Sequence, residues 1–315
     1  MKKILANDGM EDEGIKLLEK AGFMVVTEKV AQDELAEAIN ENDYVALTVR
    51  SATKVNKALI DECPTLRLIA RGGVGMDNID VEYAKSKNIQ VVNTPAASSL
   101  SVAELVIAHI FSMARFLDQS NRNMPGKGQT DFGQLKKEYS KGIELTNKTI
   151  GIIGFGRIGQ SVGALSLGLG MKVLAFDPYI SDASIELNIH NVPNIKVPVK
   201  TVTLDDVLKN SDFITLHVPG GEVIKEDEIK KMKKGVMLVN ASRGGVINED
   251  ALIKGLDSGH IAHAALDVFK SEPSPRKDIL QHPKISLSPH IGGSTEEAQQ
   301  RIAVELAEKI IHFLR

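Results

Sequence analysis

Short apolar runs alternate with amphipathic segments along almost the whole chain. In the N-terminal third the apolar runs predict strands at 3–6, 24–27, 44–49, 66–70 and 90–92. The segments between them, for example 13–21, 33–39 and 81–87, show helical periodicity. Strictly alternating strand and helix patterns are typical of a parallel sheet connected by crossover helices.

A second alternating series occupies the rest of the chain. It predicts strands at 149–153, 172–176, 195–199, 213–217, 236–240, 262–266 and 285–288. A final amphipathic helix is predicted at 295–314, with Ile302, Leu306, Ile310 and Phe313 on one face. The chain therefore reads as an α/β protein with two parallel sheets.

The segment between the two series is less regular. Residues 93–98 predict a hinge that leads into a long helix at 101–117, with Ser98 or Ser99 as its cap and Glu104 in its early turns. Residues 118–143 are polar and have little periodicity, which is unusual for so long a stretch in a compact domain. We interpret them as an arm that docks on a second subunit and in part contacts substrate.

One turn has the spacing of a dinucleotide site. Gly154, Gly156 and Gly159 form a GxGxxG between a predicted strand and a predicted helix, and Asp177 ends the next strand. The glycines permit a tight turn and close approach of a pyrophosphate, and the acid suits the ribose hydroxyls. The alternative is a glycine-rich turn that binds no ligand.

The amino-acid composition narrows the class of protein. The 315 residues include 43% hydrophobic and 25% charged residues, with a formal net charge of −3. This is ordinary for a globular protein and gives no basic surface for nucleic acid. No run reaches the length of a membrane span, and the N-terminus lacks the apolar region of a signal peptide, so we expect a cytoplasmic protein without membrane contact. The single cysteine, Cys63, is interpreted as structural, and no metal site is expected.

Two strand ends in the first series carry arginines. Arg50 and Ser51 follow one predicted strand, and Arg71 with Gly72, Gly73 and Val74 follows the next. The consecutive glycines predict a nest of backbone N–H groups for an anion, or alternatively a turn that caps the next helix. Both arginines are either solvated surface charges or part of a phosphate or carboxylate site.

Three strand ends in the second series carry residues suited to dehydrogenase chemistry. Arg243 can hold a carboxylate and polarise a carbonyl, His290 can exchange a hydroxyl proton, and Glu272 can orient the histidine. Residue type alone also allows capping roles for Arg243 and His290 and an ordinary loop position for Glu272. His217 is a further histidine at a strand end, and it is interpreted as lining the cofactor cleft.

Together these motifs resemble the D-isomer-specific 2-hydroxyacid dehydrogenases. The resemblance covers nearly the whole chain in the family's order. The matching runs are VRSATKV from residue 49, RGGVGMDNID from 71, NTP from 93, SVAE from 101, GIIGFGRIG from 151, NASRGG from 240, AALDVF from 264 with Glu272-Pro273, and SPHIGG from 288.

The resemblance implies site residues beyond those argued from residue type. Arg243, Glu272 and His290 become the catalytic set, and NAD is favoured over NADP because Asp177 would repel a 2′-phosphate. The implied cofactor contacts are Val74, Gly154, Gly156, Arg157, Ile158, Gly159, Asp177, His217, Val218, Ala241, Ser242, Asp267, Gly292 and Gly293. Asp267 would hold the nicotinamide carboxamide. The implied substrate contacts are Arg50, Ser51, Arg71, Gly72, Gly73, Val74 and a basic group near Lys137.

The resemblance also implies domain organisation and substrate. We expect two Rossmann/flavodoxin-like parallel-sheet domains: a substrate-binding lid of residues 1–97 plus 288–315, and an inserted NAD-binding domain of residues 98–287. Closure about residues 96–99 and 286–289 is expected. Within the family the chain most resembles the branch that oxidises 3-phosphoglycerate to 3-phosphohydroxypyruvate at the entry to serine synthesis. A reductase of glyoxylate or hydroxypyruvate and an NAD-dependent protein-docking module are the alternatives, and a homodimer is expected.

Three departures from the family pattern stand out. The segment after Pro219 is shortened to 220–225, and the arm at 118–142 lacks a tryptophan typical of that region. The sequence ends at Arg315, so we expect neither the C-terminal regulatory domain of many phosphoglycerate-oxidising relatives nor feedback through it.

Overall fold

A computed structural model describes all residues, Met1–Arg315, and divides them into two units. The first unit comprises Met1–Ser99 and Gly293–Arg315, and the second comprises Leu100–Gly292. The prediction placed the second boundary before residue 288, whereas Ser288–Gly292 belong to the second unit. These residues are tied there by Asp267, which accepts the N–H groups of Ile291 and Gly292.

The first unit contains a parallel sheet in the order β2-β1-β3-β4-β5. Its elements are β1 (Lys3–Ala6), α1 (Asp12–Lys20), β2 (Met24–Val26), α2 (Leu35–Glu41), β3 (Tyr44–Val49), α3 (Lys57–Glu62), β4 (Leu68–Arg71), α4 (Val81–Ser86) and β5 (Gln90–Asn93). Apolar residues cover both faces of the sheet, as a parallel sheet requires. The alternation of strands and helices predicted for this part is confirmed.

The C-terminal helix completes the first unit. The last helix of the chain, Glu296–Leu314, packs against α1 so closely that a side chain at Gly14 would meet the Ala303 backbone. Ile302, Leu306 and Ile310 are buried as predicted. The fourth predicted contact is wrong: Phe313 is 46% exposed, and Leu314 is buried in its place. Steps of four residues keep Leu314 on the buried face, whereas Phe313 turns outward.

The second unit has a six-stranded parallel sheet in the order β13-β12-β11-β10-β6-β7. Its elements are α5 (Ser99–Ala114), α6 (Leu117–Lys127), α7 (Phe132–Glu138), β6 (Thr149–Ile153), α8 (Arg157–Gly168), β7 (Lys172–Phe176), β8 (Asp182–Leu187), β9 (Ile195–Lys200), α9 (Leu204–Asn210), β10 (Phe213–Leu216), α10 (Glu226–Lys231), β11 (Val236–Asn240), α11 (Glu249–Asp257), β12 (Ile261–Leu266), α12 (Lys277–Gln281) and β13 (Ile285–Leu287); α5 starts in the first unit, and the last helix, α13, follows in that unit. Two apolar clusters cover the two faces of this sheet.

Two regions of the second unit differ from the prediction. The predicted strand at 195–199 exists, but as β9 it pairs antiparallel with β8 in a separate two-stranded sheet. Ile185 of β8 anchors this hairpin in the space beside Gly163 of α8. The predicted arm at 118–143 is largely helical, since α6 and α7 occupy it.

No single helix is long and apolar enough to cross a membrane. Only α5 and α6 taken together meet that test of length and composition, and they are bent by 57° relative to each other.

Candidate active site

The carboxyl ends of the parallel strands bring the predicted residues of the second unit to one edge of its sheet. The glycine turn follows β6, Asp177 follows β7, and His217 with Val218 follows β10. Ala241 and Arg243 follow β11, Asp267 follows β12, and His290 follows β13. The chain order reverses direction at β6 and β10, and a ligand cleft is expected at such a switch point.

The glycine turn has the geometry that its spacing predicts. Gly154 has a φ of +92°, a conformation that favours glycine, and a side chain there would reach 2.5 Å from the His217 carbonyl oxygen. At Gly159 a side chain would overlap the Gly154 carbonyl, so this glycine allows α8 to approach the turn. Gly156 lies open, with nothing within 4 Å of an added Cβ, where a pyrophosphate can approach the start of α8. Arg157 and Ile158 form the first turn of that helix.

Asp177 is anchored to the same turn. Its Oδ2 accepts the Phe155 N–H at 2.8 Å, and its Oδ1 accepts the Tyr179 N–H at 2.9 Å. Each oxygen retains a lone pair for one ribose hydroxyl. An oriented carboxylate beside an open glycine turn fits NAD.

His217 is a neutral residue behind the turn. Burial lowers the pKa of its imidazole to about 3, and its Nε2 lies 3.0 Å from the Thr215 hydroxyl. Its buried Nδ1 has no partner. Because its carbonyl faces Gly154, His217 forms part of the wall of the glycine turn.

His290 and Glu272 form a hydrogen-bonded pair. His290 Nδ1 lies 2.8 Å from Glu272 Oε2, and Glu272 Oε1 accepts the Phe269 N–H at 2.9 Å. His290 itself adopts a left-handed conformation with φ +55°. A carboxylate only accepts, so it takes the Nδ1–H and directs Nε2 away from the pair. This is the arrangement of a general acid–base histidine with an orienting acid.

Asp267 holds the loop that carries His290. The Asp267 side chain is buried, and its carbonyl accepts the His290 N–H at 2.8 Å. Its carboxylate accepts the Ser288 hydroxyl at 2.6 Å and the N–H groups of Ile291 and Gly292 at 2.9 Å each. No sequence pattern identified this backbone anchor.

The Arg243 loop is tied to the Glu272 loop by close packing. Asn240 organises the first loop, because its Oδ1 accepts from Ser242 and its Nδ2 donates to the Arg243 carbonyl at 2.9 Å. Arg243 Nη1 donates to the Ser242 carbonyl at 2.7 Å. At Gly244 a side chain would overlap the Phe269 carbonyl, so only glycine permits this contact between the two loops.

The arginine loops of the first unit lie at the ends of neighbouring strands. Val49 of β3 pairs with Arg71 of β4, which places Arg50 and Arg71 at one edge of that sheet. Asp8 Oδ2 accepts the Arg50 N–H at 2.7 Å, and Asn78 Nδ2 donates to the Arg50 carbonyl at 2.9 Å. The Arg71 guanidinium lies against Gly73.

The predicted nest is only partly available. The Gly72 N–H donates to the Val49 carbonyl at 2.9 Å, and the Gly73 N–H donates to the Thr94 hydroxyl at 2.8 Å. Of the three N–H groups predicted to face an anion, those of Gly72 and Gly73 are thus occupied by these two hydrogen bonds, and that of Val74 is not involved in either. The glycines shape the loop and tie it to neighbouring strands, and they do not present consecutive open donors.

The remaining predicted contacts are dispersed. Ser51 is exposed in the Arg50 loop, and Lys137 is exposed on α7. Val74 and Gly293 belong to the first unit, where the Gly293 carbonyl accepts from Gln299 Nε2 at 2.6 Å.

A glycine turn open to a pyrophosphate and a histidine paired with a carboxylate are features typical of dinucleotide-dependent dehydrogenases. Residues 107–292 match the NAD binding domain of the D-isomer specific 2-hydroxyacid dehydrogenases. The chain is 42% identical over 320 residues to a hydroxypyruvate reductase of Thermotoga maritima, covering 99% of this chain and 98% of that protein. The chain belongs to the D-isomer specific 2-hydroxyacid dehydrogenases, and it is an NAD-dependent enzyme.

Other relatives carry a different name. A D-3-phosphoglycerate dehydrogenase of Methanocaldococcus jannaschii is 41% identical over 320 residues, and the match covers 100% of this chain and 58% of that protein. The solved structure of D-2-hydroxyisocaproate dehydrogenase superposes with a TM-score of 0.79 at 25% identity, covering 100% of this chain and 97% of that one. The TT0316 protein of Thermus thermophilus superposes with a TM-score of 0.78 at 26% identity, covering 97% and 94%. The curated relatives are thus named for different substrates, hydroxypyruvate in one case and 3-phosphoglycerate in the other.

Proposed function

We propose that His290, Glu272 and Arg243 carry the chemistry. The observation that carries this proposal is the 2.8 Å contact between His290 Nδ1 and Glu272 Oε2. In oxidation, His290 Nε2 takes the hydroxyl proton as the C2–H bond breaks; in reduction, the protonated Nε2 returns it to the carbonyl oxygen. NAD supplies the hydride acceptor or donor. Glu272 keeps the ring oriented through both directions.

The Arg243 guanidinium would hold the substrate carboxylate. A planar guanidinium binds a carboxylate through paired N–H donors, which fixes the orientation of the adjacent carbonyl. Its position after β11, beside the loop of Glu272, supports this role. Asp267 would accept from the nicotinamide carboxamide through the remaining lone pair of Oδ2, since that oxygen receives only the Gly292 N–H.

For the substrate, we propose oxidation of 3-phosphoglycerate to 3-phosphohydroxypyruvate. Arg50 and Arg71 end adjacent strands of the first unit, and two guanidinium groups at one sheet edge suit a dianionic phosphate. Asp8 and Asn78 fix the Arg50 loop by hydrogen bonds to its backbone, which reduces the entropy lost on binding. Phosphoglycerate dehydrogenases among the relatives support the same reading.

Reduction of hydroxypyruvate is the second candidate. It is favoured by the full-length match to the hydroxypyruvate reductase, whereas the chain spans 58% of the M. jannaschii phosphoglycerate dehydrogenase. The two keto acids, phosphohydroxypyruvate and hydroxypyruvate, differ only by the phosphate. The arginines therefore decide between them.

The deciding experiment compares NADH-dependent reduction of phosphohydroxypyruvate, hydroxypyruvate and glyoxylate. We expect the highest kcat/KM with phosphohydroxypyruvate. The double variant Arg50→Gln/Arg71→Gln should lower that value by roughly 100-fold or more, because two charge-assisted contacts are lost, and should leave hydroxypyruvate within about threefold. Arg67→Gln, an exposed arginine before β4, is the matched control. Faster turnover of hydroxypyruvate, unaffected by the double variant, establishes the second candidate.

We further propose that the chain forms a homodimer through α5, α6 and α7. Leu100 and Phe111 on α5 are 47% and 38% exposed, and Leu117 on α6 and Phe132 on α7 are 53% and 59% exposed. Helix α5 also buries Val106 and Ile110 on its other side, so it carries large apolar residues on both faces. Such a helix needs cover on both faces.

Light scattering after size-exclusion chromatography tests the dimer. The wild-type chain should have twice the 34.1 kDa monomer mass, and Phe111→Glu/Leu117→Glu should be monomeric. Met24→Glu places one such charge at a residue of the first unit with 44% exposure and should remain dimeric. A monomeric wild type, or a dimeric double variant, contradicts the proposal.

A further inference from the structure

A histidine that is distant in the sequence from the loop of His290 is hydrogen-bonded to that loop. His109 lies on α5 with only 6% exposure. Its Nδ1 is 3.0 Å from the Ser286 hydroxyl, and its Nε2 is 2.9 Å from the Ser288 hydroxyl. Both ring nitrogens are therefore engaged, and both serines belong to the segment that leads to His290.

Ser288 connects this histidine to Asp267. The Ser288 hydroxyl lies 2.6 Å from Asp267 Oδ1. A hydroxyl carries a single proton, and a carboxylate only accepts, so that proton points at Asp267. The Ser288 oxygen must then accept from His109, which requires a proton on Nε2. With burial lowering the pKa of His109, the ring is neutral, and its Nδ1 accepts the Ser286 hydroxyl proton.

The hydrogen bonds consequently run in one direction. Ser286 donates to His109, His109 donates to Ser288, and Ser288 donates to Asp267. Asp267 Oδ1 also accepts the Ile291 N–H, which occupies both of its lone pairs, while Oδ2 accepts only the Gly292 N–H. The carboxylate is thus turned so that one Oδ2 lone pair stays available.

We propose that His109 is a positioning residue for the cofactor. Its Nε2–H fixes the Ser288 hydroxyl and thereby the Asp267 carboxylate that receives the nicotinamide carboxamide. This inference rests on the proposed role of Asp267. His109 acts only through Ser288 and Asp267. Its substitution should therefore change the affinity for NADH more than the KM for the keto acid.

Three substitutions separate positioning from simple packing. Gln places an amide N–H near the position of Nε2, whereas Asn places it near Nδ1, and Leu removes both. We expect the Kd of NADH, measured by its fluorescence, to rise by about fivefold in His109→Leu and His109→Asn, the loss of one net hydrogen bond. His109→Gln should stay within about twofold, and the KM for hydroxypyruvate should change little in all three. Equal effects of Gln and Asn, or a change confined to the KM of hydroxypyruvate, overturn the proposal.

A spectroscopic test on the wild-type chain does not depend on variants that fold. The ¹⁵N NMR signals of His109 at neutral pH should show a protonated Nε2 and an unprotonated Nδ1, assigned by their loss in His109→Gln. A protonated Nδ1 overturns the hydrogen-bond direction. Asp267→Asn tests the proposed role of Asp267 separately from that of His109. If this variant binds NADH within about twofold of the wild-type affinity, the nicotinamide contact of Asp267 is rejected. The tautomer of His109 still tests the hydrogen bond from His109 to Ser288 in that case.

Discussion

Gly244 is the position where a single methyl group should disturb catalysis without touching a catalytic side chain. A Cβ at this residue would overlap the Phe269 carbonyl and lie 2.8 Å from the Lys270 nitrogen. Both atoms are backbone, so neither can rotate away. Gly244→Ala must therefore separate the loop of Arg243 from the loop of Glu272.

The size of the displacement follows from the contact distance. Carbon and oxygen atoms do not pack much closer than about 3 Å, so the Phe269 backbone must move by roughly 1 Å. Phe269 N–H holds Glu272 Oε1 at 2.9 Å, and Glu272 in turn orients His290. A misplacement of about 1 Å at reacting groups typically costs about 100-fold in rate, and overpacking costs about 1–3 kcal/mol of stability.

Steady-state kinetics with NADH and hydroxypyruvate measure this effect. Gly244→Ala should lower kcat by about 30- to 300-fold while the Kd of NADH stays within about threefold, because the glycine turn lies on other strands. Gly168→Ala is the matched control, since nothing lies within 4 Å of its added Cβ. A folded Gly244→Ala enzyme with more than half of the wild-type kcat would refute the coupling of the two loops.

Two further predictions concern the cofactor cleft. Asp177→Ser should weaken NADH binding by about tenfold and raise the relative kcat/KM with NADPH, because the carboxylate no longer accepts the ribose hydroxyls or repels a 2′-phosphate; unchanged cofactor preference would contradict its assigned role. His217 has its folded pKa lowered to about 3, so the unfolded chain takes up its proton first and stability falls as pH drops from about 6.5 towards 3. Urea unfolding measured at pH 7 and pH 5 should show that the free energy of unfolding falls by about 2 kcal/mol less in His217→Gln than in the wild-type chain. An equal fall in both chains would show that residues other than His217 cause the loss of stability.

The strands of the two parallel sheets were predictable because a strand that is buried on both faces has a continuous run of apolar residues in the sequence. β6 and β11 are fully or almost fully buried, and their predicted bounds agree with the structure. The β8–β9 hairpin was not recognised, since a single strand pattern does not state its pairing direction and only Ile185 is deeply buried. Helix α6 has no buried residue and contains Pro125, so it leaves no apolar stripe to detect.

Residue type and position after a strand were enough to predict which side chains of the second unit lie at one edge of its sheet. Arg243, Glu272 and His290 follow neighbouring strands because the ends of a parallel sheet meet at one edge. The hydrogen-bond partners of backbone amides could not be predicted from the sequence. The Gly73 N–H donates to Thr94, and the Gly72 N–H donates to Val49. His109 was missed for the same reason, as its serine partners are 177 and 179 residues away. Long-range hydrogen bonds depend on packing that no local pattern records.

The kcat of His290→Gln, measured together with the Kd of NADH, tests the central claim most directly. Gln cannot exchange a proton, so kcat with hydroxypyruvate should fall by about 100- to 10,000-fold, while NADH affinity stays within about threefold because the glycine turn and Asp177 are untouched. A His290→Gln enzyme that binds NADH normally and keeps more than a tenth of the wild-type kcat would contradict the assignment of His290 as the acid–base residue.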